Sequence, residues 1–514
     1  MHLFEIVIAL LLVGAALAAA ARHIGAPYPA LLALAGVGLA LMPGVPAVTP
    51  DPELMLALFV APVLLDAAFD ASPRDLRENW RAVASLALVT VVLTVVAVAV
   101  TARWLVPEMP WAAAIALGAI VAPPDAAAAT AVLRQLRPPH RLLVILEGES
   151  LFNDASALLI YRLAVTAAVA GAVPGWEIAP TLLVVTIGSI VLALVLARVT
   201  ALIVPRIEDV ATSVIVPFVG TFGVWIAAER LHLSGILTMV VYAMTVARRA
   251  PDTIPARIRI PSYAVWEVAV FLLNALAFIL VGLQLKPIVQ SLDRATLLAY
   301  GEVALAVCAA VILVRLLWAL GAYLVRSNRT GIALGQAIVV GWSGMRGTVT
   351  LAAALALPAG FPQRDLILFG AFSVVLVTLV LQGLTLRPLM ARLDLGHDDA
   401  VDREVRLARV ETLRAAAAAL ERVGDDSEGS DLLRRRYRER LEHAEARMAG
   451  GSHDDMGDDP LGSAAAVHRA ALEAERRRLS ALRADGTIGD DAFHRVEEEL
   501  DRAELGAEAM HPED

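Results

Sequence analysis

The chain is 514 residues long, 58% hydrophobic, with a mean hydropathy of +0.68 and a formal net charge of −9. Soluble domains average about 45–50% apolar, so the composition excludes an ordinary soluble globular protein and describes one built for lipid. The single cysteine, Cys308, excludes a disulfide framework and a cysteine-based metal centre.

The net charge hides a segregation. Residues 1–395 are apolar with mostly arginine in the loops, whereas 396–514 are dense in Glu, Asp, Arg and Ala, which marks a domain boundary. The opening "MHLFEIVIALLLVGAALAAA" has no basic region before its apolar run, so it reads as a retained membrane span and not a cleaved signal peptide. A helix needs about twenty apolar residues to cross the hydrocarbon core. Thirteen such runs are expected, near 3–20, 29–43, 53–70, 83–103, 110–132, 142–170, 178–200, 212–228, 232–248, 264–285, 297–323, 331–358 and 365–386. Loops holding Arg22, Arg74/Arg77/Arg81, Arg134/Arg137/Arg141, Arg198/Arg206, Arg248/Arg249/Arg257/Arg259 and Arg326/Arg329 then fall on one side, against only Arg103, Arg230, Lys286, Arg294 and Arg364 on the other. Basic loops stay in the cytoplasm, which puts the N-terminus outside and the charged C-terminal tail inside.

The fifth run contains "GAIVAPPDAAAATAVL". Pro123 and Pro124 lack donors and their rings clash with the preceding turn, so the helix should open there. Non-helical backbone at membrane depth is tolerated only where protein buries it or it lines a cavity. Asp125 follows the break and can cap the second half-helix, its charge meeting the positive end of the helix dipole. Taken alone, this could be a simple kink with a capping Asp.

The sixth run contains "ILEGESLFNDASALLIY", with Glu147, Glu149, Asn153 and Asp154 in an otherwise greasy helix. Buried carboxylates are expensive unless compensated. Ser150 and Asp154 are four residues apart and share a helix face, and Asn153 lies on the neighbouring flank. Oxygen ligands with one carboxylate suit a hard monovalent cation, not zinc or copper. A carboxylate that holds a proton or a cation, never both, couples the two by competition. The bland alternative is that Glu149 and Asp154 pair with buried arginines for packing. Further along, Asp66 lies deep in span three, Arg315 in "CAAVILVRLLWAL" calls for an acidic partner, and Glu267 and Asn274 share a stripe suited to packing hydrogen bonds.

The twelfth run, "GWSGMRGTVTLAAALALP", repeats the interruption around Arg346. Spans five and twelve are seven apart and so cross in opposite senses, as an inverted repeat of spans 1–6 and 8–13 would have them. Interrupted helices in corresponding positions point to a transporter's binding site. No Ser/His/Asp triad, HExxH or phosphate-binding loop is present, so no enzyme activity and no cofactor are expected. The tail has charged helical stretches, "EVRLARVETLRAAAAALERV" and "LLRRRYRERLEHAEARMAG", joined by the flexible acidic "GGSHDDMGDDPLG". It reads equally as a regulatory or dimer-stabilising module and as a solvated tail.

Together, "LEGESLFNDASAL", "GAIVAPPDAAAATAVL", "LLNALAFILVGLQL" and "GWSGMRGTVTLAAALALP" resemble the NhaP/NHE-type monovalent cation–proton antiporters, the sodium/proton exchangers, over residues 1 to about 390. The resemblance implies an all-α membrane protein and exchange of Na+, or K+ or Li+, for H+. It also implies a plasma-membrane homodimer with no nucleic-acid partner. A core bundle (roughly 83–170 and 297–390) would move against a dimerisation bundle (roughly 1–70 and 212–285), with 396–514 as a cytoplasmic tail. It makes Asp154 the ion- and proton-binding carboxylate, Ser150 a further ligand of the Na+ or K+, and Asn153 a hydrogen-bonding member of the site. Asp125 matches the Asp of the family's Thr-Asp-Pro crossing motif. Here Pro124 replaces the Thr and Ala126 the Pro, so only the backbone carbonyl of Pro124 or a neighbour could serve in place of the lost hydroxyl. Glu149 would pair with Arg315, Arg346 would neutralise half-helix ends, and Asp66 aligns loosely with an acidic residue near the site. The Asn-Asp pair, in place of Asp-Asp, implies electroneutral exchange. The readings to be excluded are a sodium-coupled organic-anion symporter on a similar scaffold, a channel, and a non-transporting membrane sensor.

Overall fold

The computed structural model describes residues 2–24, 26–43, 51–133, 136, 138–170, 178–207, 209–250, 256–290, 292–330, 334–393, 395, 398, 400–422, 428–448 and 465–509. The acidic stretch 450–462 expected as a linker lies outside the described residues, as do Arg134 and Arg137. The described residues form helices and no strands.

In chain order the helices are α1 (His2–Ile24), α2 (Tyr28–Leu41), α3 (Pro52–Asp70), α4 (Pro73–Leu105), α5 (Trp111–Val121), α6 (Ala126–Leu133), α7 (His140–Ala170) and α8 (Ile178–Ile203). There follow α9 (Val210–Arg230), α10 (Gly235–Ala247), α11 (Ala256–Leu283), α12 (Leu285–Gln290), α13 (Arg294–Thr330), α14 (Leu334–Trp342), α15 (Thr348–Leu355) and α16 (Arg364–Arg392). Four tail helices close the chain: α17 (Ala400–Arg422), α18 (Glu428–Met448), α19 (Ala465–Ala484) and α20 (Asp490–Ala509). Among the described residues seven helical stretches are long and apolar enough to span a membrane, with shorter apolar helices beside them. This is a multi-pass membrane protein. At 31 residues α7 has the length to span, but it carries Glu147, Glu149 and Asp154.

Helix starts follow capping chemistry. The Ser72 hydroxyl accepts from the Asp75 N–H at 3.3 Å with Pro73 in the first turn, a position where the missing proline N–H costs nothing. Helix α4 therefore begins a full ten residues before its apolar run. The α9–α10 boundary falls at Leu231–Ser234, where His232 turns into the left-handed region (φ 55°) and Ser234 caps α10. Helices α3, α4 and α16 each contain a π-helical stretch, at Leu56–Val60, Ser85–Thr90 and Thr378–Gln382. Such bulges misalign the hydrogen-bond ladder and recur at functional sites.

One apolar core joins α4, α5, α7, α13 and α16 through Val98, Leu117, Ile120, Ala157, Val307 and Val374. Another gathers α2, α6, α11 and α16 through Leu32, Ala128, Phe278 and Leu379, and a third gathers α3, α8, α9 and α10. In lipid there is no hydrophobic drive between helices, so small residues that let backbones touch supply the packing. At the α2–α11 crossing, a Cβ on Gly36 would stand 2.2 Å from the Ile279 carbonyl oxygen, and one on Gly282 would stand 2.2 Å from that of Ala33. Backbone cannot yield as a side chain does. Gly282→Leu is therefore expected to destabilise the folded protein by at least the ~1–3 kcal/mol of overpacking, read as a lower melting temperature in detergent. Gly38→Ala, where nothing lies within 4 Å, should leave it unchanged.

The tail helices have apolar cores of their own. Val405, Leu479, Ile488, Phe493 and Val496 pack together across α17, α19 and α20, and Leu413, Leu420, Leu433 and Tyr437 join α17 to α18. These contacts pack the described tail helices against one another.

Candidate functional site: two crossed helix breaks beside a buried carboxylate

Helix α5 stops at Val121 and α6 starts at Ala126, while α14 stops at Trp342 and α15 starts at Thr348. The two interruptions touch, because the Asp125 N–H donates to the Met345 carbonyl at 2.7 Å. Four half-helix ends meet here, and the two charged side chains sort themselves by dipole sign. The Asp125 carboxylate accepts from the Ala127 N–H at 2.9 Å and also faces the Ala128 and Thr348 N–H groups, so it serves the N-terminal ends of both α6 and α15. The Arg346 guanidinium donates to the carbonyls of Val121 (3.0 Å) and Ala122 (3.1 Å) at the end of α5, and to Gly344 just past α14. Its own N–H donates to the Thr378 hydroxyl at 3.0 Å, in the π-helical stretch of α16. Gly347 is obligatory, since a Cβ there would lie 1.6 Å from Asp125 Oδ2.

Helix α7 presents the rest. Asn153 is fully buried and its Nδ2 donates to the Pro124 carbonyl at 3.1 Å, so the backbone oxygen exposed by the proline break is met by this amide. Asn153 Oδ1 is buried with no hydrogen-bond partner among the described residues. Asp154 is 6% exposed, and its carboxylate lies near enough to Asp125 for the two to interact electrostatically. One turn away, Glu149 and Arg315, each 1% exposed, form a two-pronged ion pair. Its Nη2–Oε2 arm is 2.8 Å, and Arg315 Nε also donates to the Val340 carbonyl at 3.0 Å.

A cavity of about 1720 Å³ reaches this crossing. Pro124, Asp125, Ser150 and Asp154 line one part of it, and His140, Asp491 and Asp501 line another. His140 opens α7, and at 1.5 Å per residue Asp154 lies about 21 Å further along the helix axis, so the cavity is deep. Asp66 stands on its α3 wall, where Oδ1 accepts from the Trp266 indole N–H at 3.0 Å. The α3 stripe that packs with α7 and its neighbours is instead Ala61, Leu64 and Ala68. Glu267 and Asn274 also border the cavity, Glu267 on an exposed part of α11 and Asn274 half-buried.

The structure thus brings Asp125, Pro124, Asn153, Asp154 and Arg346 to one crossing, sets Glu149 and Arg315 against each other beside it, and leaves Ser150 and Asp66 on the cavity wall. Sequence reasoning missed the Trp266–Asp66 bond and the cluster of Asp75, His140 and Asp491 at the far part of the cavity. Nothing in spacing links those positions, although "SPRD" at 72–75 and "PPH" at 138–140 signal helix starts.

The sodium/hydrogen exchanger transmembrane-domain model matches residues 7–392. The chain belongs to the sodium/hydrogen exchanger family. Its relatives include an uncharacterized Na+/H+ exchanger of Mycobacterium tuberculosis, 32% identical over 93% of this chain and 91% of the relative. Another is a sodium, potassium, lithium and rubidium/H+ antiporter of Bacillus pumilus, 30% identical over 81% of this chain and 65% of the relative. In fold the chain is similar to MjNhaP1, a sodium proton antiporter of Methanocaldococcus jannaschii, with a TM-score of 0.62 and 19% identity, covering 77% of this chain and 99% of that one. Exchangers of this family are transporters, and the chain is accordingly a multi-pass cation/proton antiporter.

Proposed function

We propose that the chain is an electroneutral secondary antiporter in which a monovalent cation (Na+, or K+ or Li+) and a proton compete for Asp154. The carrying observation is the placement of this carboxylate, 6% exposed, beside two interrupted helices at the end of a cavity about 1720 Å³ in volume. Asn153 Oδ1, buried and unpartnered among the described residues, supports the reading, since an orphan oxygen of this kind gains what it lacks when a partly dehydrated cation arrives. Ser150 supplies a hydroxyl from the same face of α7, and the Pro124 carbonyl retains a lone pair beyond the one taken by Asn153. Asp125 and Arg346 hold the four half-helix ends so that the crossing can carry a changing charge without unwinding further. Asp66 lies on the entry route to this site.

The same reading places thirteen spans in two inverted repeats, with both interruptions as crossing helices and no resident cofactor. It places the N-terminus outside and residues 396–514 in the cytoplasm of a cell whose plasma membrane holds the protein, following the arginine asymmetry of the loops. The bundle of 83–170 and 297–390 would be the moving core, and 1–70 with 212–285 the scaffold of a homodimer. Deprotonated Asp154 takes the cation from one side, and protonation on the other side releases it. With Asn153 neutral, one charge enters for each that leaves.

Competition has a quantitative signature. Below the pKa of Asp154, each pH unit cuts the deprotonated fraction tenfold, so the apparent cation Km should rise about tenfold per unit while the maximal rate changes far less. Purified protein in liposomes with an internal pH dye reads both, with valinomycin and potassium setting the voltage. A Km flat from alkaline to acidic pH sinks the competition, and a rate that follows voltage sinks electroneutrality.

A further inference from the structure

The tail is tied to two sides of the cavity by different chemistry. On the α11 side, Arg259, 1% exposed, donates from Nε to Asp501 Oδ2 at 2.8 Å, and its Nη1 lies 3.3 Å from Glu497 Oε1. Asp501 also takes Arg476 of α19 at 2.7 Å. On the α4–α7 side, Arg74 pairs with Glu404 at 3.0 Å, and the same carboxylate accepts from the Gly489 N–H at 2.6 Å. Beside it the His140 ring bridges Asp75 at 3.0 Å and Asp491 at 3.2 Å, and the His140 backbone N–H donates to Asp398 at 3.0 Å. His140, Tyr263, Asp491 and Asp501 all border the cavity that holds Asp154.

We propose that the tail is a strap across the cytoplasmic mouth, fixed to α11 and detachable from α4 and α7, which must let go for the cavity to close during exchange. The proposal rests on the antiport reading, since only a cycle that closes this mouth requires the two walls to move relative to each other. Which end detaches follows from burial. Pulling Asp501 and Glu497 off Arg259 strands charges that are 1–4% exposed, whereas His140 (22%), Arg74 (32%) and Asp491 (49%) are already partly hydrated. Separating the latter exchanges protein partners for water at small cost.

The detachable side is also sensitive to pH. The His140 imidazole, held between Asp491 and Asp75, is pushed up to about 10. The charged groups around it are Asp75 and Arg74 from α4, Asp491 from α20, Asp398 and Glu404 at the start of the tail, and Arg141 on its own helix. A raised pKa means that the stabilisation is complete below the ordinary histidine value of 6.5 and is lost as pH rises through about 10. The strap therefore loosens on the alkaline side.

The test uses the full chain in liposomes, with Na+ as the cation. Asp491→Asn and Glu404→Gln remove one tie each from the tail and touch nothing in the ion site. Each should raise the maximal rate at pH 7 about fivefold or more, within the usual range of such couplings, with the Na+ Km unchanged. Arg74→Cys with Glu404→Cys, joined by a bis-methanethiosulfonate linker that spans the length of the lost side chains, should stop exchange, and a reductant that cleaves the linker should restore it; Cys308 is buried. Spin labels on Arg77→Cys and Arg403→Cys report the strap without any transport. They should show one distance at pH 7 and a second, longer population at pH 10 or with Asp491→Asn. A single distance under all conditions, or a cross-linked protein that exchanges at full rate, overturns the strap. Absence of Na+-dependent proton flux in the unaltered protein, with the two distances present, would instead remove the antiport reading and leave the tether standing.

Discussion

Asp154→Asn is expected to abolish cation-dependent proton flux entirely while leaving a folded, membrane-inserted protein. The substitution keeps the shape of a side chain that is 6% exposed and removes both its charge and its capacity to exchange a proton. Asp125 stays at the crossing, but its carboxylate is taken up by the Ala127 N–H at the start of α6, so with Asp154 neutral the proposed shared ligand is gone and neither half of the exchange can drive the other. The folding cost should be small or favourable, because a buried carboxylate facing Asp125 is exchanged for a neutral amide. Everted membrane vesicles with a pH dye and each chloride salt in turn read the flux, and a melting curve in detergent reads the fold. Substantial residual flux in Asp154→Asn would show that the ion binds elsewhere, and Asp66 would then be the next carboxylate to examine.

The apolar runs and the two interruptions were legible in the sequence because lipid imposes its length and proline or glycine imposes a break. Element ends were less so. The expected start of the fourth span at 83 ignored Ser72 and Pro73, whose capping extends α4 back to Pro73. The π-helical stretches at Leu56–Val60, Ser85–Thr90 and Thr378–Gln382 left no mark in the apolar pattern. For the site, Asp154 and Asn153 stood out as polar groups in a greasy helix. That Arg346 would bond three carbonyls at the ends of α5 and α14 could be sensed only from its charge among glycines. Arg259 and Asp501, 242 residues apart, belong to stretches that each look like solvated charge. Only the folded tail shows that both are buried. Burial of long-range pairs depends on tertiary packing, which local composition does not encode.

The Glu149–Arg315 pair gives the largest expected loss of stability. Its residues are 166 apart in sequence, and each is 1% exposed. Removing either partner by Glu149→Gln or Arg315→Gln strands the other charge in a site that water does not reach, at a cost of about 3–5 kcal/mol. The double substitution removes both charges and should recover a sizeable part of that loss, giving a strong coupling in a double-mutant cycle. Recovery should be incomplete, because Arg315 Nε also donates to the Val340 carbonyl and ties α13 to α14. Arg346 supplies the control. Its guanidinium hydrogen-bonds the carbonyls of Val121, Ala122 and Gly344 and meets Glu149 through charge alone, so Arg346→Gln should lower the melting temperature with far weaker coupling to Glu149→Gln than Arg315→Gln shows. Simple additivity for Glu149 and Arg315, with coupling appearing for Glu149 and Arg346, would mean that the carboxylate answers to the crossing arginine. The charge balance of the ion site would then have to be redrawn around Glu149.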